Sequence, residues 1–410
     1  IRGSWGELGN CNTTAFYPFY QTMPTGVENS GWLINGKKPN TASAPGIVSA
    51  EMTWETVRSW NIGFDFGLLN NRLTGSFDYF VRNTLDMIGP APQLPATLGA
   101  TVPKVNNADM KAWGFEVEVS WRDRIKDFNY GVKFVLSDDQ RKVTRYPNEE
   151  LNRNQWYAGR MDGLVWGYET VGIAKTDAEM EAHLASLPNG GQSQLGSKWA
   201  AGDIMYKDLN GDGKISSGDG TLNDLGDLKV VANTQLRFKY GLTLDASWKG
   251  FDFSAFFQGV GKRDVVVGGP YFWGANGQGM WQAAAFKDHM DYFRPEDTES
   301  VFGPNVDAYY PRVIFGGGSS EGGKNTLTQS RYVQNGAYIR LKNLQLGYTL
   351  PSTITKKFAV NSLRVYVSGD NLWTGTKMRV FDPEVLGSTG DAGKAYPLAR
   401  VWSVGLNVNF

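Results

Sequence analysis

Cysteine is all but missing from this sequence: Cys11 stands alone among 410 residues, so no disulfide can form within the chain. Histidine is nearly as scarce, with His183 and His289 the only two. Neither lies in a nucleophile, zinc or phosphate motif. His183 falls in the charged stretch 176–187, which reads as a short surface helix, and His289 follows Lys287 and Asp288 in another loop helix. The carboxylates of Glu149 and Glu150 are sequence neighbours, without the opposed placement that glycoside hydrolysis needs. No catalytic residue is expected, and the chain reads as a non-enzyme. An excess of one charge is missing too, since Lys+Arg 41 against Asp+Glu 41 leaves a formal net charge of zero. With no field to steer it onto a polyanion, nucleic acid is not an expected partner. Nor is there any uninterrupted apolar run of the roughly 18 residues a membrane helix requires, in keeping with a mean hydropathy of -0.36.

Glycine and aromatic residues are abundant instead. The 50 glycines stand well above the usual ~7%, and aromatics make up 13% of the chain with charged residues at an ordinary 20%. This composition is neither disordered nor collagen-like; it points to a β-protein rich in turns. Length alone would allow two or three soluble domains.

Periodicity of two runs through the chain. Trp402, Val404, Leu406, Val408 and Phe410 alternate with Ser403, Gly405, Asn407 and Asn409, which makes one face apolar and the other small or polar. The same alternation recurs over 62–68, 115–121 and 242–248, and further strands are read over 1–8, 73–84, 128–136, 251–258, 338–350 and 363–372. These amount to about ten antiparallel strands. Short links at 70–71, 122–127, 249–250 and 351–361 alternate with very long ones, roughly 10–53, 87–111, 140–237, 262–335 and 374–398. Soluble sandwiches usually have loops of ~2 to 6 residues at both ends. Short turns at one end, long loops at the other, and an apolar-out, polar-in dyad describe a transmembrane β-barrel. Mid-strand charges such as Glu116, Glu118, Asp65, Asp78 and Asp245 suit a wet lumen. Trp121, Trp248, Tyr348 and Phe410 fall near the short-turn ends, where an aromatic girdle would meet the lipid interface.

Particular strings carry a resemblance. Ser4-Trp5-Gly6-Glu7-Leu8-Gly9-Asn10, Leu68-Leu69-Asn70-Asn71-Arg72-Leu73, Gly114-Phe115-Glu116-Val117-Glu118 and Phe256-Phe257-Gln258-Gly259 resemble segments of SusC/RagA-type TonB-linked outer membrane proteins. So do Tyr338-Ile339-Arg340-Leu341-Lys342-Asn343, Val367-Ser368-Gly369-Asp370-Asn371-Leu372 and the terminal Gly405-Leu406-Asn407-Val408-Asn409-Phe410. The likeness covers essentially all of residues 1–410. It implies the C-terminal half of a 22-stranded transmembrane β-barrel with long extracellular loops at 140–237 and 262–335, in the outer membrane of a Bacteroidota-type cell. Active import of oligosaccharides, or of peptides, follows from it, with substrate held under a SusD-like surface lipoprotein lid. TonB would drive release by pulling on a plug carried by an N-terminal portion in the same or a separate chain. Since a half-barrel leaves unpaired edges in hydrocarbon, such a portion is expected to complete the wall. The main alternative is a barrel serving as a surface binding scaffold without active transport.

Two groups of loop residues invite a chemical reading. Asp208, Asn210, Asp212, Lys214 through its carbonyl, and Asp219 follow the order of an EF-hand loop, with Gly213 at the sharp turn. Hard oxygens at that spacing suit Ca²⁺, although position 12 is Asp instead of Glu and no amphipathic helices flank the loop. A structural Ca²⁺ stiffening the loop is therefore expected. Trp156, Tyr157, Trp166, Tyr168, Tyr271, Phe272, Trp273 and Trp281 lie among Gly, Asn and Asp in the long loops. Such rings suit the apolar faces of sugars and, nearly as well, peptides; alternatively they pack the loops on one another or on a lid.

Overall fold

Alternation of apolar with small or polar residues produces one long antiparallel sheet. The computed structural model describes residues 1–11, 20–27, 31–43, 45–49, 52–91, 97, 102–276, 285–315, 320–386 and 396–410. Among them ten strands follow one another as an up-and-down meander: β1 (Arg2–Asn10), β2 (Glu55–Leu68), β3 (Leu73–Ile88), β4 (Asn106–Ile125), β5 (Phe128–Arg145), β6 (Arg237–Trp248), β7 (Phe251–Lys262), β8 (Tyr338–Thr349), β9 (Ser362–Thr376) and β10 (Val401–Asn409). Each pairs with the next in sequence, and β1 and β10 are the two edges. Every strand reaches the ~9 to 11 residues needed to cross a bilayer. The strand count matches the sequence reading, and so does the division into short and long links.

The short links are tight. Lys249 and Gly250 both take positive φ, 46° and 91°, and Trp248 pairs with Phe251 across them. That is the type I′ geometry whose twist matches the strands it joins. Leu69, Asn70 and Asn71 likewise run left-handed.

Register sets the two faces. Phe64 lies opposite Phe77, Phe77 opposite Val117, Val117 opposite Leu136, and Phe253 stands between Ala246 and Leu346. The rings of Phe64 and Phe77 stack at 5.5 Å and those of Phe77 and Phe115 at 6.5 Å. On this apolar face Trp248, Phe251 and Tyr348 form a row at the short-turn end, with Phe251 and Tyr348 at 4.5 Å. Trp5, Trp60 and Trp113 form a second row toward the long-loop end. Two aromatic girdles thus bound one apolar band.

Many glycines stand within strands, not in turns. Gly75 lies opposite Phe66, Gly259 opposite Tyr240 and Gly405 opposite Tyr366. A Cβ at any of the three would overlap the facing ring, so each glycine is the socket for a cross-strand aromatic.

The packed core lies outside this sheet. Residues 146–236, 263–337 and 377–400 connect strands, yet their described residues share one cluster of buried side chains. It includes Ile204, Tyr206 and Ile215 from the first, Phe272, Phe293, Tyr310 and Tyr332 from the second, and Met378 and Leu386 from the third. Small antiparallel ladders pair Leu164–Tyr168 with Leu228–Asn233 and Thr170–Ile173 with Ile204–Tyr206. The helix Asp177–Ala185 carries His183, as read from sequence; Thr176 caps it by accepting from the Glu179 amide.

Candidate functional site

The opposite face of the sheet is polar along its length. Arg2 bridges Asp65 at 2.9 Å and Asp78 at 2.6 Å, Lys133 meets Glu118 at 2.8 Å, Lys239 meets Asp139 at 2.7 Å, and Arg364 grips Asp252. Positions two apart in a strand share a face, so these charges form a continuous wet surface backing the apolar band. At its long-loop end this face borders a cavity of about 810 Å³. Ser137, Asp139, Lys239 and Gln258 contribute the sheet side, with Arg263 and Glu384 from the connections above.

Cations fasten those connections down. Arg340, buried on β8, holds Asp382 at 2.6 and 2.7 Å, and Lys342 reaches Glu384 at 2.8 Å. Arg263 donates to the carbonyls of Pro383 and Leu386 at 2.9 and 2.6 Å. Segment 382–386 is thereby clamped over the cavity. A second lock joins 197–203 to Arg312, Lys324 and Asn325. The fully buried Lys324 meets the fully buried Asp203 at 3.0 Å and lies 4.5 Å from the Trp199 ring centroid. Arg312, Asn325 and the Ala200 amide fill the remaining capacity of the same carboxylate. Removing one member would strand a buried charge, the costly way to break such a pair.

The aromatic candidates do not converge. Phe272 is 0% exposed, Tyr168 and Trp273 are buried in the same core, and of the three Trp273 alone lines a cavity, a small one of about 180 Å³ shared with Tyr332. Trp273 packs on Tyr332 at 4.6 Å. Trp166 is half-buried, and its indole Nε1 has no hydrogen-bond partner among the described residues. Trp156 is exposed, 5.8 Å from Tyr146, and Tyr157 lies beneath the Arg160 guanidinium. Tyr271 is exposed and stacks on Phe286 at 5.8 Å, lining a separate cavity of about 290 Å³. Trp281 lies outside the described residues. None of the seven described rings lines the larger cavity; its aromatic lining is Tyr240, Phe256 and Tyr338. Strand alternation was the available signal for Phe256 and Lys239, whereas Arg263 and Glu384 carry no local signature.

The acidic loop folds as a sequence of side-chain-to-amide turns. The Asp208 carboxylate accepts from Gly211 and Gly213 at 2.6 and 2.8 Å, Asn210 from Asp212 at 3.0 Å, and Asp212 from Lys214 at 3.1 Å. Burial works to raise the Asp208 pKa, but these amides outweigh it and hold the group below the usual carboxylate range. Asp219 accepts from Thr221 at 2.7 Å. The fully buried Asp227 accepts from Leu209 and Ser216, each at 2.7 Å. Burial, with repulsion from Asp208 and Asp212 added, pushes its pKa up. Among the described residues no three Asp, Glu, His or Cys side chains gather as a metal-holding group. A cation here would draw on Asn210 and backbone carbonyls as well, a hard-oxygen set that fits Ca²⁺ better than zinc.

His183 lies 3.2 Å from the side-chain amide oxygen of Gln192, which also accepts from the Tyr206 amide, and His289 bonds the backbone of Tyr271 and Phe286. Both imidazoles are spent on loop structure.

Comparison with known proteins places this architecture. The family described as TonB dependent receptor-like, beta-barrel matches residues 1–372. TonB-dependent receptor P3 of Formosa agariphila is 27% identical over the whole of this chain and 39% of its own length. TonB-dependent receptor SusC of Bacteroides thetaiotaomicron is 23% identical over the whole chain and 37% of its own length. Among solved structures, that of the RagAB peptide transporter superposes with a TM-score of 0.70 at 23% identity, covering 100% of this chain and 40% of the other. The chain thus spans about two fifths of the relatives it matches. With 372 of its 410 residues matched by the family's pattern, the chain belongs to the TonB-dependent receptor β-barrel family.

Proposed function

We propose that this chain forms the C-terminal wall of an outer-membrane importer of oligosaccharides or peptides, its long loops facing the cell exterior. The carrying observation is the charged face leading to a cavity of about 810 Å³ beneath clamped loops. Such a surface passes hydrated, hydrogen-bonding cargo, while the opposite face satisfies lipid. Backbone groups on β1 and β10 would be left unpaired in hydrocarbon, so further strands close the barrel. On this reading an N-terminal portion supplies those strands and the plug, TonB acts through the plug, and a SusD-like lipoprotein covers the loops. RagAB is described as a peptide transporter, and burial of Tyr168, Phe272 and Trp273 removes part of the case for sugar stacking. Both cargo classes therefore enter the test. Deleting the full-length gene should abolish growth on either oligosaccharide or oligopeptide as sole carbon source, and restoring it should return growth. Unchanged growth on every oligomer the parent uses would overturn the reading.

The loop at 208–219 is proposed to hold a structural Ca²⁺ through Asp208, Asn210, Asp212, the Lys214 carbonyl and Asp219. Chelator treatment of the full-length protein should open 208–227 to protease, and Ca²⁺ should close it again. Identical cleavage with and without the ion would contradict the site.

A further inference from the structure

The apolar band ends abruptly toward the long loops. Immediately beyond the row of Trp5, Trp60, Val81 and Trp113, register places Glu7, Arg58, Asn83, Lys111 and Lys142 side by side on the same face. Arg58 is answered by Glu7. Lys111 and Lys142 face each other directly across β4 and β5, and both are exposed. Like charges so opposed are destabilising in a sheet, yet neither lysine forms an ion pair among the described residues. The nearby carboxylates do not relieve them, because Asp86 and Asp109 are both held by Arg145 at 2.6 to 2.8 Å. Lys111 lies 5.9 Å from the Trp113 ring centroid, so its ammonium sits at the upper rim of the aromatic girdle.

Two uncompensated ammonium groups at the edge of a lipid-facing band want an anion, and position selects which one. A free phosphate has no use for the adjoining apolar surface. A lipid with a phosphate-bearing headgroup meets both, with acyl chains on Trp113, Phe115 and Val117 and phosphate oxygens between the lysines. We propose that Lys111 and Lys142 form a binding site for the phosphate headgroup of a lipid in the outward-facing leaflet. This rests on the barrel reading above.

The test uses full-length protein in a neutral detergent, titrated with phosphatidic acid, with diacylglycerol of the same chains, and with inorganic phosphate, and read by native mass spectrometry. Phosphatidic acid should be retained in preference to diacylglycerol, and the double variant K111Q/K142Q should bind it roughly 30-fold more weakly. Lys133→Gln, on the polar face, serves as the control and should leave retention unchanged. Equal retention by wild type and the double variant, equal retention of both lipids, or displacement of phosphatidic acid by equimolar inorganic phosphate would each overturn the site while leaving the barrel reading intact. Failure to retain either lipid would count against the barrel reading itself.

Discussion

Phe272 and Trp156 show how differently two aromatic loop residues can be employed. Phe272 is fully buried against Trp273, Tyr310 and Tyr332, so Phe272→Ala should cost about 3–5 kcal/mol of local stability. Limited proteolysis should then cut 263–337 faster. Trp156 is exposed, and Trp156→Ala should leave that cleavage pattern unchanged. Equal protease resistance of the Phe272 variant would contradict the shared loop core. Residue types were readable from sequence at these positions, but burial was not. Phe272 reaches partners such as Tyr310 and Tyr332 tens of residues away, with no period to announce it. His183 offers a pH test. Burial lowers its pKa, partly offset by the bond to Gln192. The loop's stability is therefore complete above the ordinary imidazole value of about 6.5 and erodes as pH falls through the lower folded value. Protease sensitivity of 146–236 should rise on acidification across that window, and His183→Leu should remove the dependence. A wild-type profile that stays flat down to pH 5 would contradict it.

Strands were the most legible elements, because alternation is local and repeats along each of them. The first and last run Arg2–Asn10 and Val401–Asn409, close to their expected positions. The turn at Lys249 and Gly250 was equally plain. Glycine was the misleading signal: abundance suggested turns, whereas Gly75, Gly259 and Gly405 are mid-strand sockets for rings on the neighbouring strand. Cross-strand pairing, set by register between segments, decides this and composition does not. Gly259→Leu should push the Tyr240 ring from its place and lower the temperature at which the full-length barrel loses its heat-resistant mobility on gel electrophoresis. An unchanged transition temperature would show that the socket is dispensable. The acidic loop at 208–219 was legible as a spacing; the fully buried Asp227, which accepts from Leu209 and Ser216 inside that loop, was invisible because it follows the motif.

At the scale of the whole molecule, low mean hydropathy and zero net charge describe a wall with two solvents. Apolar residues line the lipid side between girdles, and ion pairs such as Arg2 with Asp78 and Lys239 with Asp139 cover the other. Above that wall the described residues of 146–236, 263–337 and 377–386 are not tethers but a folded cap, held by Arg340 on Asp382 and by Lys324 on Asp203. A packed cap over a polar cavity is what a receptor needs to hold cargo before passing it inward. It would equally serve a surface scaffold that binds without transporting, so the decisive quantity is movement. Cells expressing the full-length protein should be given labelled oligopeptides and oligosaccharides, and label inside the outer membrane should be compared with label stripped from the surface, with and without a protonophore. Internal accumulation that requires both the protein and the proton gradient is expected, and label that stays at the surface regardless of the gradient would contradict import.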